Sequence, residues 1–108
     1  MNIEAVLERT RKVQYETDEA VSKARELALE FILTEISVGL AYAELARVSR
    51  TRAHEDDSGR QQAAAKTALE TALKFLPTAN PTQEQKIRIE TGLTKLASAL
   101  KNLSLRKL

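Results

Sequence analysis

The sequence predicts an all-α protein, an antiparallel bundle of three main helices with a long first helix. Ala and Leu contribute 16 and 15 residues, whereas Val and Ile together contribute ten. Ala and Leu favour helices, and β-branched residues favour strands. Only three Gly and two Pro interrupt the 108 residues, so few turns and long elements are expected. A chain of this length fits one helical domain, residues 1–108.

The first helix is predicted from a seam of apolar residues with heptad-like spacing. Alternating steps of three and four from Ile3 give fourteen positions, eleven of them apolar, which we call the heptad seam. Its members are Ile3, Val6, Thr10, Val13, Thr17, Ala20, Ala24, Leu27, Phe31, Thr34, Val38, Ala41, Leu45 and Val48. We expect a main helix over about 18–51, capped at Thr17 or Asp18, after a helix over about 3–15. One continuous helix over both ranges is the alternative.

A second apolar stripe widens the face of the main helix between residues 27 and 46. Its members are Leu29, Leu33, Ile36, Leu40 and Ala43. A helix with two apolar stripes is covered from two sides, either by the chain's own second and third helices or by a partner helix. We take Leu29, Leu33, Ile36 and Leu40 as the candidate partner-binding residues.

The second helix is predicted to follow a polar loop at residues 53–58. Ser58 is followed three residues later by Gln61, the spacing of a capping box, in which each side chain satisfies an open amide at a helix start. The helix is expected over 59–76, and Pro77 is expected to end it.

The third helix is predicted over 82–104. Thr82 and Gln85 repeat the capping-box spacing. Gly92 lies inside this helix, where Gly costs about 1 kcal/mol relative to Ala. Its presence therefore indicates a close approach of another helix at that turn.

The hairpin formed by the first two helices resembles a tetratricopeptide repeat. The first helix of that motif carries a large apolar residue, then Gly, then an aromatic residue, and the second alternates small and large apolar residues before a Pro. The matching positions are Val38, Gly39, Tyr42, Ala65, Leu69, Ala72, Leu73 and Pro77. The resemblance covers about 35–77 as a single repeat, with Glu35 at the family's tryptophan position and about 14 extra residues before the second helix. The chain also resembles small uncharacterised bacterial proteins with a tetratricopeptide-like fold.

The resemblance also bears on what the hairpin binds. In repeats that bind peptide C-termini, Lys, Arg and Asn of the first helix hold the carboxylate. The corresponding positions here are Leu33, Ile36, Ser37, Leu40 and Ala43. None is basic and none is Asn, so the resemblance implies packing against a helix rather than carboxylate binding.

Residues that carry catalysis or bind metals are sparse. The chain has no Cys, and its one histidine, His54, lies beside Glu55, Asp56 and Asp57 in the polar loop. A metal site needs ligands held in fixed geometry, so we interpret this segment as a solvated turn. The three Gly are isolated, which gives no phosphate-binding loop. We therefore expect no catalytic residue, no metal, no cofactor and no small-molecule substrate, and the chain is not expected to be an enzyme.

Arg47, Arg50 and Arg52 form the one basic cluster that suggests a different function. They end the main helix, where basic residues interact favourably with the helix dipole. The alternative is an anion-binding patch for phosphate or nucleic acid. The net charge is only +2 and acidic residues follow at once, so nucleic acid is not the expected partner.

The function that these observations favour is protein–protein interaction. No apolar run approaches the roughly 18 to 20 residues of a membrane-spanning helix, and residues 1–8 lack the basic start of a signal peptide, so a cytoplasmic location is expected. We predict an interaction or scaffold module that uses an apolar helix face for self-association or for a protein partner.

Overall fold

Three helices and no strand make up the part of the chain that the structure, a computed structural model, describes, which is residues 2–105. They are α1 (Ile3–Thr51), α2 (Glu55–Ala79) and α3 (Gln83–Leu105). The predicted all-α fold with a long first helix is confirmed.

Helix α1 is continuous, as one of the two sequence alternatives predicted. Asn2 caps its start, because the Asn2 side chain accepts a hydrogen bond of 3.0 Å from the backbone N–H of Glu4. The Thr17 hydroxyl does not cap a new helix. It donates to the backbone carbonyl of Val13, one turn earlier, at 2.8 Å, which is the bond that Thr makes inside a helix.

Helix α2 begins at Glu55, so the predicted start at 59 and the predicted loop over 53–58 are wrong. The connection is only Arg52 to His54, and Ala53 takes a left-handed conformation with φ of 63° to make the turn. Three acidic residues occupy the first turn of α2, where the positive end of the helix dipole favours them. The acidic run thus starts the helix rather than forming a loop.

Ser58 lies inside helix α2 and does not form the predicted capping box. Its side chain is buried, and its hydroxyl donates to the backbone carbonyl of Ala46 at 2.8 Å. Gln61 instead accepts a hydrogen bond from the Ser49 hydroxyl. These bonds join the end of α1 to the start of α2.

Pro77 does not end helix α2, contrary to prediction. The helix continues to Ala79 and ends at Asn80, which is left-handed with φ of 41°. Pro lacks an N–H and leaves the carbonyl four residues earlier without its helical partner, but this close to the helix end the loss concerns a single hydrogen bond. A left-handed Asn followed by Pro81 is a common way to stop a helix.

The capping box predicted for helix α3 is confirmed. The backbone N–H of Thr82 donates to the Gln85 side chain at 2.9 Å, and the backbone N–H of Gln85 donates to the Thr82 hydroxyl at 3.2 Å. Helix α3 itself runs from Gln83 to Leu105, within a residue of the predicted 82–104.

Helix α2 runs antiparallel to α1, and α3 returns in the direction of α1. The core consists of two clusters along this three-helix segment. One contains Ala28, Ile32, Ile36, Ala72, Ala79 and Ile89, and the other contains Ala43, Ala46, Ala65, Leu96 and Leu103. All three helices contribute to each cluster or to its rim. We call this segment, residues 28–105, the body.

Two glycines allow the helices of the body to approach closely. A Cβ atom on Gly92 would lie 2.8 Å from Cγ2 of Ile36, and one on Gly39 would lie 2.7 Å from Cδ2 of Leu96. Real Cβ atoms do not approach other carbons this closely, so both positions require Gly. The close approach predicted at Gly92 is confirmed.

The N-terminal half of α1 extends beyond the body. Every residue from Asn2 to Leu27 is exposed, whereas buried positions begin at Ala28. The molecule measures 76 × 25 × 15 Å and its radius of gyration is 20.8 Å, compared with about 13 Å for a compact chain of 100 residues. We call residues 3–27 the arm. At 1.5 Å per residue it is about 38 Å long.

Candidate interaction surface

The four residues predicted to bind a partner lie in the chain's own core. Ile36 is 5% exposed, and Leu29, Leu33 and Leu40 are half-buried against the core clusters. Helices α2 and α3 cover this stripe, so it is not a free surface. Of the two alternatives that the sequence leaves open for this stripe, the structure has cover by the chain's own helices.

The heptad seam is the apolar surface that stays exposed. Val13 is 62% exposed in the arm, and Leu27 is 55% exposed where the arm joins the body. Exposure continues along the body at Phe31, Val38 and Leu45, which are between 39% and 49% exposed. The surface thus follows one side of α1 for almost its whole length.

The side of α1 opposite the seam changes character where the body begins. Every seventh residue from Ile32 is buried and small or apolar: Ile32, Gly39 and Ala46. The same positions in the arm are Glu4, Arg11, Asp18 and Arg25. Because these side chains are charged, the arm has no second apolar side and cannot pack as the body does.

This change was visible in the sequence. The heptad seam continues through both halves of α1, but the second stripe starts only near residue 28. The second-stripe positions of the arm hold mainly charged residues, namely Glu8, Lys12, Glu19 and Glu26, which indicates that α2 and α3 cover α1 only from there onward. Sequence reasoning assigned the partner to the wider apolar face, which the body needs for its own core.

Helix α2 extends the exposed apolar surface beside the seam. The rings of Phe31 and Phe75 pack edge to face with centroids 5.1 Å apart. Phe75 is still 37% exposed. An apolar segment lying along the seam of the body would therefore meet α2 as well.

Two residues of the arginine cluster are engaged by the chain itself. Arg47 forms an ion pair with Glu44 at 2.5 Å. The hydrogen bond from Arg47 lowers the pKa of the Glu44 carboxyl, and the same contact raises the pKa of Arg47. The pair therefore weakens as the pH falls through the lowered pKa of Glu44. Both groups are exposed, and surface pairs of this kind contribute little to stability.

Arg50 connects the end of α1 to the other two helices. Its guanidinium donates to the backbone carbonyl of Leu103 in α3 and, at 3.3 Å, to the Gln62 side chain in α2. Arg52 is exposed at the end of α1 and belongs to the turn. The three side chains thus have different surroundings and are not gathered around a single anion site.

The described part of the chain has several concave surfaces. A groove of about 210 Å³ between α1 and α3 is lined by apolar side chains together with Glu44, Arg47 and Asn102. A larger groove of about 450 Å³ between α2 and α3 is lined by Lys66, Lys101 and other polar and apolar side chains. His54 is exposed at the turn before α2. Residues 2–105 contain no cluster of three side chains arranged to bind a metal.

Comparisons of the chain with protein-family models, with curated proteins and with solved structures find no match. None of the helices in the described part of the chain is long and apolar enough to span a membrane.

Proposed function

We propose that this protein is a non-enzymatic interaction module whose binding surface is the heptad seam of α1. The observation that carries the proposal is the arm. About half of a 49-residue helix is exposed on all sides in the described residues 2–105, and it presents an apolar stripe interrupted at Thr10 and Thr17. Contiguous apolar surface of this kind marks an interaction site in soluble proteins.

The arm needs a partner for its stability as well. In proteins, helical stability comes mostly from packing of the apolar side. The arm has a charged side and an apolar side, which is the pattern of a helix covered along one stripe. A helix that remained fully solvated would gain nothing from Val6, Val13 and Leu27.

Binding would proceed by burial of the seam against another helix. A fully buried Val, Leu, Ile or Phe side chain contributes about 1.5 to 3 kcal/mol relative to the exposed state. Half-exposed side chains contribute a fraction of that, so several must be covered together. A helix that follows the seam satisfies this requirement, whereas a small ligand does not.

The body would act as the support that holds the arm. The small residues of the tetratricopeptide-like pattern, among them Gly39, Ala65 and Ala72, are buried between the helices, which supports a tightly packed hairpin in that role. As part of the proposal, the module acts in the bacterial cytoplasm, in keeping with the absence of cysteine.

Site-specific photo-cross-linking in the native host tests the proposal. A photoreactive phenylalanine derivative replaces Val13 on the seam, and in a control chain it replaces Arg11, about 200° away around the helix. We expect a protein adduct at residue 13 and much less at residue 11. Equal adducts at both positions, or none at residue 13, would contradict an interaction through the seam.

A further inference from the structure

We propose that the helix covering the seam is the α1 helix of a second copy, paired antiparallel so that residue 3 of each copy faces residue 48 of the other. This inference rests on the proposed function and names its partner. In this register the numbers of two facing seam residues add up to 51. The two copies are then related by a two-fold axis near the middle of α1.

The outer layers of this pairing join apolar residues of the arm to apolar residues of the body. Ile3 faces Val48 of the second copy, and Val6 faces Leu45. Ile3 and Leu45 are 74% and 49% exposed in the single chain. The most exposed end of the arm thus meets the far end of the seam on the other body.

Near the centre, each large side chain faces a small one. Phe31 faces Ala20 of the second copy, and Leu27 faces Ala24. In a parallel pair Phe31 would instead face Phe31, and Ala24 would face Ala24. The first layer would be overpacked and the second would leave a cavity. Protein cores tolerate neither overpacking nor cavities well, so side-chain volume favours the antiparallel pair.

The charges beside the seam also favour the antiparallel orientation. One flank of the seam consists of every seventh residue from Asn2, and reversing one helix places this flank against the same flank of the other copy. Arg9 then faces Glu44, and Lys23 faces Glu30, with no like charges opposite each other. In a parallel pair Glu30 would face Glu35, and such flanking charges determine partner and orientation in coiled coils.

The other flank explains two exposed apolar residues that do not belong to the seam. Leu7 and Tyr42 are 49% and 38% exposed, and both lie on the flank that consists of every seventh residue from Leu7. In the proposed register Leu7 of one copy packs beside Tyr42 of the other. Neither residue belongs to the seam that defines the register, so the pairing of Leu7 with Tyr42 supports the register independently.

The area that becomes covered is sufficient for a stable dimer. Pairing over residues 3–48 covers a strip about 70 Å long and about 10 Å wide. That is about 700 Å² on each copy, compared with about 800 Å² per partner in a standard interface. Helices α2 and α3 pack mainly on the other side of α1. Helix α2 touches the strip through Phe75, which packs beside Phe31, and Phe31 is still 40% exposed.

Cysteine cross-linking of the purified full chain tests orientation and register together. The chain has no cysteine, so Val13→Cys and Val38→Cys introduce the only thiols. Mixed and oxidised, these two variants should form a 13–38 disulfide about 100-fold faster than collision allows at about 10 μM protein, since pairing raises the local thiol concentration to about 1 mM. Light scattering on the wild-type chain should give the mass of two copies.

The controls separate the alternatives. Val13→Cys oxidised alone reports a parallel pair, Val13→Cys mixed with Ala24→Cys reports an antiparallel pair shifted by two heptads, and Arg11→Cys reports random collision. Faster cross-linking in any of these than between residues 13 and 38 would overturn the proposed pairing. A monomeric wild-type chain would overturn self-association. In that case the proposed function would still stand if the photo-cross-linking experiment gave an adduct between residue 13 and a different protein.

Discussion

Glycine has opposite effects on stability at two positions of this bundle. Gly92 faces Ile36, whose Cγ2 would lie 2.8 Å from an added Cβ, whereas Gly59 has no atom within 4 Å of that position. Both lie inside helices, where Gly costs about 1 kcal/mol relative to Ala. Only at Gly92 does helix packing require the absence of a side chain.

We predict that Gly92→Ala lowers the free energy of unfolding by about 1 to 2 kcal/mol. Overpacking costs about 1 to 3 kcal/mol and exceeds the gain in helix propensity, because the methyl group of Ile36 is attached to a stiff β-branched carbon in a buried position. Gly59→Ala is the matched control and should raise stability by about 0.5 to 1 kcal/mol. Urea unfolding of both variants measures the difference, and a stabilised Gly92→Ala would show that the helices are farther apart than described.

At the scale of the helix, the capping box of α3 is the local signal that the structure reproduces most directly. Thr82→Ala removes the hydroxyl that accepts from the Gln85 backbone and should destabilise the protein by about 1 kcal/mol. Thr94→Ala, at an exposed position inside the same helix, should be neutral or slightly stabilising because Ala is the better helix former. Equal effects of the two substitutions on the thermal midpoint would exclude a capping role.

Sequence reasoning succeeded for the helices where local chemistry decides the outcome. The capping box at Thr82 and the absence of a breaker in α1 depend only on neighbouring residues. Gly92 signals a tertiary contact because Gly is otherwise unfavourable inside a helix. The prediction for Pro77 is wrong because a proline this close to the helix end costs only one hydrogen bond, and the prediction for Ser58 is wrong because a tertiary contact decides there. Ser58 satisfies a carbonyl of α1 instead of its own helix start, a bond that no local pattern in α2 specifies.

The interaction surface was misassigned for a different reason. The spacing of apolar residues identifies the apolar faces of a helix but does not show which face packs against other helices of the same chain. In α1 the second stripe holds the candidate partner-binding residues, with cover by the chain's own helices as the alternative. The stripe packs on α2 and α3, while the heptad seam stays exposed. The charged residues opposite the seam in the arm distinguish the two faces, and that comparison requires reading both halves of α1 together.

At the scale of the whole molecule, stability should depend on protein concentration. Association that favours the folded state raises the thermal midpoint as the chain concentration increases. Val13→Asp places a charge in the seam and should abolish this dependence, because burying an unpaired charge is costly. Tyr15→Asp changes a residue of similar exposure on the opposite side of the arm and should preserve the concentration dependence. Differential scanning calorimetry over a hundredfold range of concentration makes the comparison, and a midpoint independent of concentration in the wild type would contradict the dimer.

The short connection between α1 and α2 has a consequence for the order of folding. With only Arg52 to His54 between the helices, contacts such as that of Ser58 with Ala46 join residues twelve apart, whereas Arg50 reaches Leu103 across 53 residues. Closing a short loop costs less entropy than closing a long one, and proteins rich in local contacts fold fast. The α1–α2 hairpin should therefore form first, with α3 docking onto a surface that the hairpin has already built.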